Sequence, residues 1–321
     1  MNLNLWTAGS AAAVVFFFSC WGLATCPAIA GVPFAVDGAG DIFVATADGA
    51  GIERFAPGAQ GDVAPVAVLR GPLAFSTGSG IRAIVVAGTK LFVGVEINDD
   101  KTAVHEGEVV VFPVTASGNV APESFVGTWQ LGGLAIDASG GIFPIDMEGR
   151  MVSLYLSGNP NAPHYSRSDV VTPSPISNAI FDSQQRLYYA DDASNVMLSA
   201  PQVAAPWRKI LNTGGSGNYL ALDGDGRLYV GVNGGRVLIV TGATRGAPVV
   251  SNLVGPPMLL EGLEGLSIDS SGKVYVLNCS HDGTASVLVF PPGARDDAAP
   301  IATLAGAKTG LSCSFPGAIA H

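Results

Sequence analysis

Charge is scarce in this chain. Only 13% of its 321 residues are Asp, Glu, Lys or Arg, and the 16 basic side chains nowhere gather into a run. A nucleic-acid surface needs clustered Lys and Arg to displace counterions from phosphates, so nucleic-acid partners are excluded, and with them electrostatic adhesion to anionic lipid. The 26 acidic residues outweigh the basic ones, giving a net charge of −10. Compact catalytic signatures are missing as well. There is no Gly-x-Ser-x-Gly elbow, phosphate-binding loop, His-Glu-x-x-His pair or Cys-x-x-Cys, and His105, His164 and His281 stand isolated. The sequence therefore leans away from an enzyme, because any site must be assembled from distant segments. Helical periodicity is absent after the first 30 residues, while 42 Gly and 21 Pro punctuate short apolar runs, a composition that favours an all-β chain.

What is present is a repeat. An apolar run, an Asp, two or three small residues and a second apolar run with Phe or Tyr recur. Examples are Phe34-Ala-Val-Asp37, Leu134-Ala-Ile-Asp137, Ile180-Phe-Asp182, Leu220-Ala-Leu-Asp223 and Leu266-Ser-Ile-Asp269. A weaker copy around Ala87 lacks the Asp, and the six matched positions lie 50, 50, 45, 41 and 46 residues apart. That period, filled with strands and turns, signals a radial array. In the first copy the strands are expected at 34–36, 41–45, 51–55 and 65–69. The expectation is an all-β, six-bladed β-propeller of four-stranded antiparallel blades, one domain over residues 31–321. The recurring Asp begins a tight turn and is expected to accept bonds from backbone N–H groups two residues on, a structural role and not a ring of metal ligands.

The phrase Leu220-Ala-Leu-Asp-Gly-Asp-Gly-Arg-Leu-Tyr-Val230 and its continuation to Val240 resemble the NHL repeat and its relatives among six-bladed propellers. The resemblance covers about residues 32 to 320 and implies a fold with a spread of functions: protein-binding modules, surface proteins, lyases and gluconolactonase-type metal-dependent hydrolases.

Residues 1–30 carry no charge and run through Ala11 to Phe18 before Ala28-Ile29-Ala30, the layout of an export signal cleaved after Ala30. A retained anchor, or a lipoprotein modified at Cys26, are the alternatives. Cleavage leaves Cys279 and Cys313, an even pair that reads as a disulfide, with two buried free thiols as the other reading. The expected location is extracytoplasmic: secreted, periplasmic or cell surface. Asn278-Cys279-Ser280 also matches a glycosylation sequon. Phe315 to Ala320 resembles the start of another inner strand and is a candidate for closing the ring.

In propellers the innermost strand lines the channel, and its start faces the mouth. Counting five residues before each turn position gives Val32, Arg82, Gly132, Ser177, Asn218 and Glu264, with Asn178 beside Ser177. Arg82, Asn178, Asn218 and Glu264 are thus the candidate ligand-binding residues. Glu264, Asn218 and Asn178 could alternatively hold Ca²⁺, an arrangement that resembles in residue type the metal site of gluconolactonase-like propellers. A bland reading, polar caps on strand ends, stands beside both. The segment Glu96–Glu106 reads as a long loop, joined at the same rim by Asp146, Glu148, Asp191, Asp192, His281 and Asp282 as an acidic surface. The function expected is a monomeric binding scaffold, without a cofactor, taking a protein or a polar small molecule through this face; the alternative is a divalent-metal-dependent hydrolase of the lactonase kind.

Overall fold

Runs such as Ile42-Phe-Val-Ala45, Leu187-Tyr-Tyr-Ala-Asp191 and Leu228-Tyr-Val-Gly-Val232 are buried at every position. A strand whose alternate side chains are both covered must lie in a sheet packed on two faces, and these runs are the second strand of each repeat. The computed structural model describes residues 33–75, 79–99, 104–129, 131–146, 149–156, 165–201, 204–215, 219–232, 235–246, 248–255 and 259–313. The export-signal segment, Asn218 and the strand-like tail Phe315–Ala320 lie outside these residues.

Among them the chain forms an all-β propeller of four-stranded antiparallel blades. Blade 1 comprises β1 (Phe34–Val36), β2 (Ile42–Ala45), β3 (Gly51–Phe55) and β4 (Ala67–Arg70); blade 2, β5 (Ser79–Ala87), β6 (Lys90–Asp99), β7 (Val104–Pro113) and β8 (Ser124–Trp129). Blade 3 holds β9 (Leu131–Ile136), β10 (Ile142–Asp146), β11 (Met151–Leu156) and β12 (Tyr165–Val170). Blade 4 holds β13 (Ile176–Phe181), β14 (Leu187–Asp191), β15 (Asn195–Ala200) and β16 (Ala204–Asn212). Blade 5 is built from β17 (Tyr219–Leu222), β18 (Leu228–Val232), β19 (Arg236–Thr241) and β20 (Val249–Leu253), and blade 6 from β21 (Leu263–Ile268), β22 (Val274–Cys279), β23 (Ala285–Phe290) and β24 (Ala302–Leu304). Each sheet is a continuous stretch of chain in simple up-and-down order, and no described strand is exchanged between sheets. The first strands touch in a closed circuit, β1 to β5, β9, β13, β17, β21 and back to β1.

The core sits between blades. Each of six apolar clusters fills one seam, for example Phe43, Ile52 and Leu69 against Ile81, Leu91 and Phe112, or Val44 and Phe55 against Tyr275, Leu277 and Val289. Each fully buried aliphatic or aromatic side chain stabilises by roughly 1.5–3 kcal/mol, so the seams and not the blades singly hold the ring. The turn aspartates act as the sequence predicts. The Oδ1 atoms of Asp37, Asp137, Asp182, Asp223 and Asp269 accept backbone N–H bonds two and four residues on, at 2.7–3.0 Å.

Three seams share a further device. The loop between third and fourth strands reads Gly61-Asp-Val-Ala-Pro65 in blade 1, Gly118-Asn-Val-Ala-Pro122 in blade 2 and Asp296-Asp-Ala-Ala-Pro300 in blade 6. Its first residue takes positive φ (70°, 71° and 52°) and bridges in parallel to the outer strand of the preceding blade, at Leu304, Leu69 and Leu253. In two of them the next side chain completes the clasp. Asn119 Oδ1 accepts from Leu73 N at 2.8 Å, and Asp62 Oδ1 from Lys308 N at 2.6 Å. The seam between blades 4 and 5 joins the same two places differently: Arg208 on β16 donates its guanidinium to the carbonyl of Ala243 in the blade 5 loop.

The tail is tied down by the Cys279–Cys313 disulfide, Cα–Cα 5.5 Å, which settles the cysteine reading in favour of a bond. Asn278 is buried, its Oδ1 accepting from Gly262 N at 3.2 Å, so the sequon has no accessible acceptor. Of the segment expected as a long loop, residues 96–99 and 104–106 are instead the paired ends of β6 and β7, in register to Asp99 opposite Val104. Its polar residues read as a loop because strand extension here follows ladder bonds and not burial.

Candidate functional site at the channel mouth

The inner strands leave a central channel of about 310 Å³. Its lower part is lined by apolar residues that precede the turn aspartates, among them Val36, Ile136, Ile180, Leu222 and Ile268. The mouth is polar, and local backbone geometry makes it so. Register shifts mark β-bulges at the start of four inner strands, between Ile81 and Ala83, between Leu131 and Gly133, between Ile176 and Asn178, and between Leu263 and Gly265. The unpaired residues are Arg82, Gly132, Ser177 and Glu264, which are four of the six positions found by counting back from the turns. A bulge re-aims a side chain that regular pleating would point elsewhere. The residue before each bulge, Ile81, Leu131, Ile176 or Leu263, is at most 1% exposed and anchors the strand between blades. Gly94 and Gly231 make room for two of these anchors: a Cβ there would stand 2.2 Å from Leu131 Cδ2 and 2.7 Å from Leu263 Cδ2.

Arg82, Asn178 and Glu264 all line the channel. Arg82 is paired: its Nε donates to Glu96 Oε2 at 2.6 Å, and the Glu96 side chain is only 6% exposed. Its charge is therefore compensated within blade 2 and does not project as a bare cation. Glu264 lies beside Tyr219, whose hydroxyl donates to Glu264 Oε2 at a long 3.4 Å. Burial pushes the Glu264 carboxyl above the ordinary range, with the Tyr219 hydroxyl opposing it. Burial and the neighbouring Glu264 push the Tyr219 phenol up in turn. Ser177 Oγ donates to Ala190 O at 3.0 Å.

Glu96 and Tyr219 are the site residues that sequence reading missed. Tyr219 is one position past Asn218, and Glu96 belongs to β6, opposite Gly80 and next to the bulge; the alternation Val95-Glu96-Ile97 was the available signal for a strand there. For the calcium alternative, Glu264 and Asn178 both line the channel, while Asn218 lies outside the described residues.

The acidic rim resolves into a second tier of turn caps. Asp48, Asp146, Asp191 and Asp282 accept N–H bonds from Ala50, Arg150, Asn195 and Thr284 at 2.8–3.2 Å. Asp146 is further paired with Arg150, and Asp191 with Ser174 and Asn195. The side chains of Asp99, His105, Glu106 and Glu148 lie outside the described residues, as does His164.

No family model matches the chain, and no curated protein matches it in sequence. Among solved structures it is similar to the virginiamycin B lyase of Staphylococcus aureus, with a TM-score of 0.52 at 10% identity, over 84% of this chain and 87% of that one. It is also similar to PorZ, a surface component of the type-IX secretion system of Porphyromonas gingivalis, with a TM-score of 0.47 at 12% identity, over 85% of this chain but 33% of that one. At 10% identity the likeness to the lyase is one of fold, that of a β-propeller.

Proposed function

We propose that this protein is an exported, monomeric six-bladed propeller of the NHL-like kind that binds a polar small molecule at the channel mouth without transforming it. The observation that carries this is the set of bulges at one height on four inner strands, which brings side chains of unlike chemistry, Arg82, Ser177 and Glu264, to one opening beside Asn178 and Tyr219. Mixed donors and acceptors over an apolar floor suit a ligand with a polar head, bound largely in a preformed concavity. The disulfide supports an oxidising, extracytoplasmic setting.

The test is the melting temperature in a panel of small polyols, carboxylates and amino acids, each with excess Ca²⁺ or with chelator. A ligand at about 100 times its Kd stabilises by roughly 2.7 kcal/mol, read as a rise of about 5 to 10 °C. The rise is expected without Ca²⁺ and is lost in Glu264→Gln. A rise from Ca²⁺ alone that Glu264→Gln removes would favour the metal-dependent hydrolase and call for a lactone and ester screen. A rise that persists in Glu264→Gln and in Arg82→Gln would place the ligand elsewhere and sink this reading.

A further inference from the structure

Five of the six seams are crossed by continuous chain; the seam between blades 6 and 1 is not. Polar ties close it instead. Gly61 N donates to Thr303 O at 2.7 Å and its carbonyl accepts from Ala305 N at 3.2 Å, Val36 N donates to Ser267 Oγ at 3.1 Å, Ser270 donates to Gly38 O, and Lys308 N reaches Asp62. The segment after β24 lies over this seam. Leu311 packs on the blade 6–blade 1 core, Thr309 is fully buried, and Gly310 rests on Glu53 of β3, where a Cβ would stand 2.5 Å from Oε1.

Glu53 is an uncomfortable floor for that segment. Its Oε2 is buried without a hydrogen-bond partner, and a carboxylate oxygen so placed favours water. What holds the segment down covalently is its far end, Cys313, bonded to Cys279 at the end of β22. Both cysteines are half-buried and neither is sealed in the core. Cys279 N donates to Gly262 O at 2.7 Å, immediately before β21.

We propose that the Cys279–Cys313 disulfide is a redox-cleaved latch on the ring, clamping residues 305–313 over the seam between the last and first blades and Glu53 beneath it, and freeing them when a dithiol reductant opens it. The reductant's thiolate attacks one sulfur and breaks the S–S bond, forming a mixed disulfide; its second thiol then displaces the protein sulfur. Two electrons and two protons pass to the pair, leaving two cysteine thiols and an oxidised reductant. The freed segment lifts, Glu53 is hydrated, and the seam loosens locally while the other blades stay packed.

The experiment is native-state hydrogen exchange read by mass spectrometry on the protein with and without dithiothreitol, with alkylation to count free thiols. Reduction is expected to speed exchange about tenfold or more in residues 305–313, in β3 and at the start of β21, leaving β10 and β14 unchanged. Cys313→Ser should give the same pattern with no reductant. In the reduced protein Glu53→Gln should restore protection to residues 305–313, since the amide loses less on burial. Complete alkylation with unchanged exchange would overturn the latch, as would a bond that resists dithiothreitol in the folded protein. Exchange rising equally in every blade would make the bond a global staple instead. An unchanged rate in reduced Glu53→Gln would overturn the role given to that carboxylate.

Discussion

The seams between blades 1 and 2 and between blades 4 and 5 solve one problem with different parts. In both, the outer strand of one blade must be joined to the loop that precedes the outer strand of the next. The first does it with backbone: Gly118 at positive φ exchanges bonds with Val68 and Arg70, and Asn119 secures Leu73. The second uses a side chain, Arg208, reaching Ala243. A backbone clasp demands a positive φ at its first residue, which glycine adopts without strain and which Asp296 also adopts. A side-chain clasp demands only one long cation, at the cost of ordering it. The contrast shows that blade packing sets where a tie is needed, while local sequence decides its chemistry.

Gly71 offers the sharpest way to break the comparison. Its φ is 126°, and a Cβ there would stand 2.5 Å from Asn119 Oδ1 and 2.8 Å from its Cβ. Gly71→Ala is expected to destabilise by about 2–3 kcal/mol, as strain and clash combine, measured by chemical denaturation. Gly306→Ala, with the same φ and Asp62 in the same place, should match it. Arg208→Ala should cost less, about 1 kcal/mol, because a half-exposed charged hydrogen bond competes with water. The double variant Gly71→Ala, Arg208→Ala should add within about 0.5 kcal/mol, since the two seams share no residues; a larger excess would show that the ring fails as one unit. Asp296→Gly, at a non-glycine φ of 52°, should gain at most about 1 kcal/mol.

The smallest effect separates the seam between blades 6 and 1 from the rest. Burial first, and the Asp48 charge second, push the Glu53 carboxyl up, with Arg70 opposing. A raised folded pKa means that the stability contributed by the protonated form is fully present below the unfolded value of about 4.3 and is lost as pH rises through the folded value. Glu53→Gln should therefore raise the melting temperature slightly at pH 8 and leave it unchanged near pH 4. The reverse order would show that the ionised carboxylate is what the seam prefers.

Much of this was legible in the chain because it is local. The turn aspartates announce themselves through spacing, and counting back from the turn positions landed on Arg82, Gly132, Ser177 and Glu264, the bulged residues, since in these four inner strands the bulge stands the same number of residues before the turn. What could not be read was whatever depends on a partner strand. Glu96 looked like loop because the short Val95-Glu96-Ile97 alternation does not say how far β6 and β7 stay paired, which is to Asp99. The likeness between Gly61-Asp-Val-Ala-Pro65 and Asp296-Asp-Ala-Ala-Pro300 was visible, but that these loops clasp the preceding blade is a fact about neighbours. At the acidic rim, composition counts carboxylates without showing which N–H groups they also cap.

Among the described strands, every blade starts and finishes within one uninterrupted stretch of about fifty residues or fewer, and none lends a strand to another. In such a chain the unit of architecture and the unit of inheritance coincide. Copying or deleting one such cassette changes the circumference of the ring without leaving a half-blade behind, and the place where the ends meet needs no matching exchange to be reinvented. For the same reason the opening in the chain can be moved to another seam by joining the present ends and cutting elsewhere, and the rearranged molecule is expected to recover its fold.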